Sequence, residues 1–126
     1  MKDSRDKIPV LNLGPAMIRY IDSDYAVAGQ LAPEHMKQLA DAGFKTVINN
    51  RPDGEDPAQS ADAVMKAAAE AAGLQYVYVP VGAAYPVQEA AVKLKEVLAR
   101  LPKPAVGYCR SGARSETVYR LTQQPG

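Results

Sequence analysis

The 126-residue chain has one cysteine, one histidine, one phenylalanine and no tryptophan. A single cysteine excludes an internal disulfide and makes a reducing compartment, the cytoplasm, the expected location. With one histidine beside it, no cluster has metal-ligand spacing, so a site without metal or cofactor is expected. Charge of one sign is lacking as well. Fifteen Lys and Arg balance fourteen Asp and Glu for a net charge of +1, which argues against nucleic acid or an anionic membrane surface as the main partner. Long apolar runs are also missing: Met1 to Lys7 is charged, and Pro9, Gly14 and Pro15 interrupt the next stretch. Neither a signal peptide nor a membrane span is therefore expected.

Hydrophobic residues make up 47% of the chain, enough for the core of one domain. Residues 1–15 read as an irregular lead-in, and 16–126 as the single domain. Ile18, Tyr20, Tyr25 and Val27 alternate around the polar Asp22-Ser23-Asp24, the pattern of a hairpin. Pro33, Met36, Leu39 and Ala40, with Gly43 as the stop, predict a short helix. Phe44 to Ile48 reads as a strand running into the polar loop Asn49 to Pro57. A helix follows Ser60, with Val64, Met65 and Ala68 facing inward and Gly73 ending it. Gln75 to Val81 predicts a strand, and Val87 to Leu101 a helix with Leu94, Val97, Leu98 and Leu101 on one stripe. Ala105 to Tyr108 is a short apolar strand, and a last helix begins near Gly112–Ala113. This alternation predicts an α/β domain with a mostly parallel sheet flanked by helices.

In open parallel sheets, ligands sit beyond the carboxyl ends of the strands. Two segments leave a strand into a polar loop here, Asn49 to Asp56 and Cys109 to Ser115. The second has the parts of an anion site. Gly112 lets the backbone turn so that the N–H groups of Arg110, Ser111, Gly112, Ala113 and Ser115 converge, and a helix N-terminus adds its positive end. Arg114 can fold back as a two-pronged donor. Cys109 at the base would feel the same field. Lowering its pKa by about 2.5 units takes about 3.4 kcal/mol of preference for the thiolate, and makes most of it nucleophilic at neutral pH. The competing reading is a small buried hydrophobe at a strand end.

Tyr108-Cys109-Arg110-Ser111-Gly112-Ala113-Arg114-Ser115 resembles the active-site loop of single-domain rhodaneses. Taken with Val27-Ala28-Gly29-Gln30-Leu31 and Val47 to Glu55, the chain from about Ile18 to Leu121 resembles the beta-lactamase-hydrolase-like family. That resemblance implies a phosphotyrosine-phosphatase-like, dual-specificity-like fold with Cys109 and Arg114 as catalytic residues, and sulfide-oxidising enzymes as partners. The fold implies phosphate chemistry and the partners imply sulfur chemistry.

Four residues separate Cys109 from Arg114, one fewer than in tyrosine and dual-specificity phosphatases and as in rhodaneses. Ser115 keeps the Arg-Ser/Thr ending of both. Phosphatases of this fold carry an acid on the loop before the long helix, worth about 10²–10⁴-fold. Here that loop, Pro80 to Pro86, has no carboxylate, although Asp53, Glu55 or Asp56 could approach from the other loop. Sulfur transfer needs no such proton. The expected function is a rhodanese-type sulfurtransferase passing sulfur from thiosulfate or a persulfide through a Cys109 persulfide to an acceptor thiol. Its alternatives are a cysteine-dependent phosphatase acting on a phosphate ester, and a non-catalytic module that binds an oxyanion or carries a persulfide.

Arg51 and Asp53 are second-loop candidates. Arg51 supplies either a positive charge at the pocket rim or an ion pair to Asp53 or Glu55 that fixes the loop. Asn49 and Asn50 are expected to hydrogen-bond the loop backbone, His35 to be solvated, and Tyr85 either to line the pocket or to pack at its rim.

Overall fold

The computed structural model describes residues 17–124; the expected lead-in lies outside them. The hairpin pairs β1 (Ile18–Tyr20) antiparallel with β2 (Tyr25–Ala28). Its turn is closed by Asp22, whose Oδ1 accepts from the amides of Asp24 at 2.8 Å and Tyr25 at 2.9 Å, the usual work of an aspartate at a turn. A 3-10 turn (Pro33–His35) leads into α1 (Met36–Asp41). Then come β3 (Thr46–Asn49), α2 (Asp62–Ala71), β4 (Gln75–Tyr78), α3 (Val87–Leu98), β5 (Ala105–Tyr108) and α4 (Ala113–Thr122). The sheet order is β1-β2-β5-β3-β4, parallel except for β1. The expected α/β architecture is the one observed.

Every residue of β2, β3 and β5 is buried, as parallel strands covered on both faces must be. Their side chains alternate between two cores. Ala26, Ala28, Val47, Val106 and Tyr108 pack with α1 and α2 through Met36, Leu39 and Met65. Tyr25, Val27, Ile48 and Ala105 pack with α3 and α4 through Leu94, Val97 and Val118. The α3 stripe of Ala90, Ala91, Leu94, Val97 and Leu98 has helical spacing, and Lys103 Nζ donates at 2.8 Å to the Leu98 carbonyl near its end.

One helix face and several boundaries differ from expectation, β3 among them, which runs Thr46–Asn49 and not Phe44 to Ile48. Val64 is 51% exposed while Met65 and Ala69 are buried; α2 is rotated so that its long thioether and a small alanine one turn later meet the sheet. The ladder of β4 ends at Tyr78 instead of Val81, because the amides of Val79 and Val81 turn to the carbonyls of Asn49 and Asn50, at 2.8 and 2.9 Å. The α3 helix stops at Leu98, and Arg100 and Leu101 both donate to the Val97 carbonyl in a closing turn.

Parallel register brings Ala28, Tyr108, Asn49 and Tyr78 level at one edge. The residues next in the chain after each of them meet there.

Candidate active site

β5 delivers Cys109 to that edge, where it is wholly buried. Its amide donates to the Ala28 carbonyl, and the Arg110 carbonyl accepts from Gln30, both at 3.3 Å. Gly112 has φ +94°, a left-handed conformation that costs a side-chain-bearing residue about 1–2 kcal/mol. This turn aims the Gly112 N–H at Cys109 Sγ, 3.1 Å away, and α4 starts at the next residue. Burial pushes the thiol up, but the amides of Ser115, Ser111 and Gly112, with the Ser115 hydroxyl, outweigh it and leave the pKa below its ordinary value. The amides around the lone cysteine thus favour its thiolate over its thiol.

Arg114, in the first turn of the helix that follows this sulfur, is paired with a carboxylate. Its Nη1 donates to Glu55 Oε2 at 2.6 Å and to the Val81 carbonyl at 2.8 Å, and its Nη2 to Glu55 Oε1 at 2.8 Å. The fork expected to hold an oxyanion is formed and engages Glu55. Those bonds leave Nε–H and one Nη2 proton for an anion. Glu55 raises the guanidinium pKa, against desolvation, and the Cys109 sulfur adds to it.

Arg51 is buried and donates from Nε to Glu55 Oε1 at 2.9 Å and from Nη1 to Gln30 Oε1 at 2.8 Å. Of its two expected roles the loop-fixing ion pair is formed, to Glu55 and not to Asp53, so Arg51 itself offers no exposed positive charge at the rim. Arg114 pulls the Glu55 carboxyl down to about 2, against partial burial, and Arg51 adds to the pull. A carboxylate held ionised in this way does not serve as a proton donor at neutral pH. Asp53, the other second-loop candidate, is engaged elsewhere: its Oδ1 accepts from the Asp62 amide at 2.7 Å, at the head of α2, because that helix start otherwise lacks a side-chain cap.

Ser115 is buried, and its Oγ donates to Asn50 Oδ1 at 2.7 Å. Asn50 Nδ2 in turn donates to the Val79 carbonyl at 2.8 Å, so Asn50 ties α4 to the segment after β4. Asn49 serves its loop backbone as expected, with Oδ1 accepting from the Arg51 amide at 2.9 Å. Arg110 and Ser111 are exposed, Gly112 is buried and Ala113 is exposed. His35 is half-buried instead of solvated, and its Nδ1 accepts from the Ala32 amide at 2.9 Å. Tyr85, 42% exposed, lines a shallow cavity with Pro80, Glu89 and Lys93; no residue of the cysteine loop belongs to it. Among the described residues no cluster of His, Cys, Asp and Glu could hold a metal ion, and no helix is long and apolar enough to cross a membrane.

The pairing of Glu55 with Arg114 and the role of Gln30 were not legible from spacing. Gln30 is an ordinary loop residue in sequence, and the strand order brings it to Arg51 as it brings Glu55 to Arg114.

Residues 17–125 match the family described as the phosphatase-like domain of beta-lactamase hydrolase-like proteins. The chain belongs to this family. It is 35% identical over 102 residues to the beta-lactamase hydrolase-like protein of Agrobacterium fabrum, covering 80% of this chain and 23% of that protein. The chain therefore spans about a quarter of that relative's length. Among solved structures, a candidate phosphatase of Neisseria meningitidis superposes with a TM-score of 0.74 at 28% identity, covering 82% of this chain and 74% of the other. A candidate phosphatase of Shewanella putrefaciens gives 0.74 at 21% identity, covering 90% and 77%, a likeness of fold. The family and these structures agree with the phosphatase-like architecture expected from the sequence. For function they favour the phosphatase alternative over the sulfurtransferase reading.

Proposed function

We propose that this phosphatase-like domain is a cysteine-dependent enzyme that hydrolyses phosphate monoesters through a phosphocysteine. The observation that carries the reading is the Cys109 sulfur in a loop whose amides and Arg114 converge on it, below its ordinary pKa. The thiolate attacks phosphorus; the S–P bond forms as the P–O bond breaks, and the leaving oxygen takes the electron pair. Amides of the loop and the two remaining Arg114 protons stabilise the equatorial oxygens. Water then attacks phosphorus, the S–P bond breaks, phosphate departs and the thiolate returns.

The acid problem narrows the substrate. The loop Pro80 to Pro86 has no carboxylate, and Glu55 is held ionised by two arginines. Leaving groups that depart without a proton are favoured, so an aryl phosphate, whose phenoxide has a pKa of about 10, suits the site better than an alkyl ester.

The same absence favours a second reading, rhodanese-type sulfur transfer. The Cys109 thiolate would attack the outer sulfur of thiosulfate, sulfite would leave with the S–S electron pair, and an acceptor thiol would collect the sulfur from the persulfide. The short spacing from Cys109 to Arg114 supports this reading too.

Intact-mass analysis after separate exposure to an aryl phosphate and to thiosulfate tests both. A phosphate adduct on Cys109, lost in Cys109→Ser, is the expected result. A persulfide with thiosulfate and no adduct with aryl phosphate would replace the first reading by the second. No adduct with either would leave an anion-binding module.

A further inference from the structure

Beneath the cysteine loop lies a polar atom that the phosphocysteine mechanism does not use. Tyr25 is 1% exposed, and its hydroxyl has no hydrogen-bond partner. Its ring is fixed by parallel stacking on Tyr119, with centroids 4.0 Å apart. The hydroxyl points across Gly107: a side chain at that position would collide with Tyr25 Oη and would stand 3.2 Å from Asn50 Oδ1. The phenol and the Asn50 carbonyl thus face the same bare stretch of β5, two residues before the nucleophile.

Donor counting gives this arrangement a meaning. Ser115 has one hydroxyl proton: it rests on Asn50 Oδ1 at 2.7 Å, and the same hydroxyl favours the charged form of the Cys109 sulfur. While the cysteine is a thiol, Asn50 can keep that proton. Once the cysteine is a thiolate, the sulfur is the stronger acceptor, and Asn50 Oδ1 would be stranded in a buried place, at a cost. Asn50 cannot turn away, because its Nδ2 is held by the Val79 carbonyl. The unused donor facing it is Tyr25.

We propose that Tyr25 is a positioning residue for the nucleophile: when Cys109 ionises, the Ser115 proton swings from Asn50 to the sulfur and the Tyr25 hydroxyl takes its place on Asn50 Oδ1. This deepens the cysteine-dependent reading and rests on it, but it needs no particular substrate. Burial keeps the phenol protonated, with Tyr119 and Cys109 adding to the effect, so it remains a donor throughout. The titratable groups that face the sulfur are Arg114 from α4 and Tyr25 from β2, while Glu55 acts on it through Arg114. Facing Tyr25 from α4 is Tyr119, whose own hydroxyl donates to Asp22 at 2.6 Å and is not available for the relay.

The test is the pH dependence of Cys109 alkylation by iodoacetamide in Tyr25→Phe, Ser115→Ala and the double variant, with thermal melting alongside. Tyr25→Phe keeps the stacked ring and removes an unpartnered oxygen, so the fold should hold. The expected result is a rise of the thiol pKa by about half to one unit, a three- to tenfold loss of alkylation rate below the pKa. That rise should vanish in the Ser115→Ala background, where the proton being relayed is missing. An unchanged profile in Tyr25→Phe, or an effect that persists in full without the Ser115 hydroxyl, would overturn the proposal. Alkylation reads the thiol alone, so a protein inactive on every phosphate ester or sulfur donor would refute the proposed function and leave this relay to be judged separately.

Discussion

Arg114 and Glu55 meet side-on, two guanidinium nitrogens on two carboxylate oxygens, across 59 residues of chain. The pair brings the loop after β3 against the helix after β5 and places a fixed negative charge beside the proposed anion site. On that proposal Glu55 has two opposed effects: it orients the fork, and it repels the anion the fork would bind.

Glu55→Gln should separate these effects. Losing the charge is expected to lower KM for an anionic substrate, while the loosened fork lowers kcat about tenfold. Steady-state kinetics on an aryl phosphate reads both numbers, and a rise in KM would contradict this account.

Acid stability depends on the same residue. Glu55 titrates at about 2 in the folded chain against an ordinary 4.5, so the unfolded chain binds its proton first as pH falls. The stabilisation is complete above about pH 4.5 and is lost progressively toward pH 2. Denaturant melts across that window should show wild type losing an advantage over Glu55→Gln.

Gly112→Ala should cost about 1–2 kcal/mol through the left-handed backbone it forces on alanine. It should also turn an amide away from the sulfur. Urea melts read the first effect; slower alkylation of Cys109 below its pKa reads the second.

Leu94→Ala should destabilise by about 2–5 kcal/mol, since Leu94 is wholly buried in the core between α3 and the sheet. Calorimetry checks it, and the thiol pKa should not move in the folded fraction.

The sequence showed most of what is local. Alternation, apolar runs, helical spacing and turn residues revealed the strands and helices among the described residues, and the run from Cys109 to Ser115 declared its turn through Gly112. Partner choice was another matter. Arg51 had three acids in its own loop, and the folded backbone gives its hydrogen bond to Glu55 and leaves Asp56 at 3.9 Å, while Asp53 is drawn to the bare start of α2. Asn50 looked like a loop residue, yet its amide joins two elements far apart in the chain. Such choices depend on the strand order, which no periodicity encodes.

That order has a consequence for biosynthesis. β5 fills the middle of the sheet, between β2 and β3, and is the last of the five described strands in chain order. Until it emerges, the hairpin and the β3-β4 pair are two half-sheets with a vacant slot between them. Each offers an unpaired apolar edge to other nascent chains. Truncation before Ala105 should thus leave not a weakened domain but one chain carrying two sticky half-sheets.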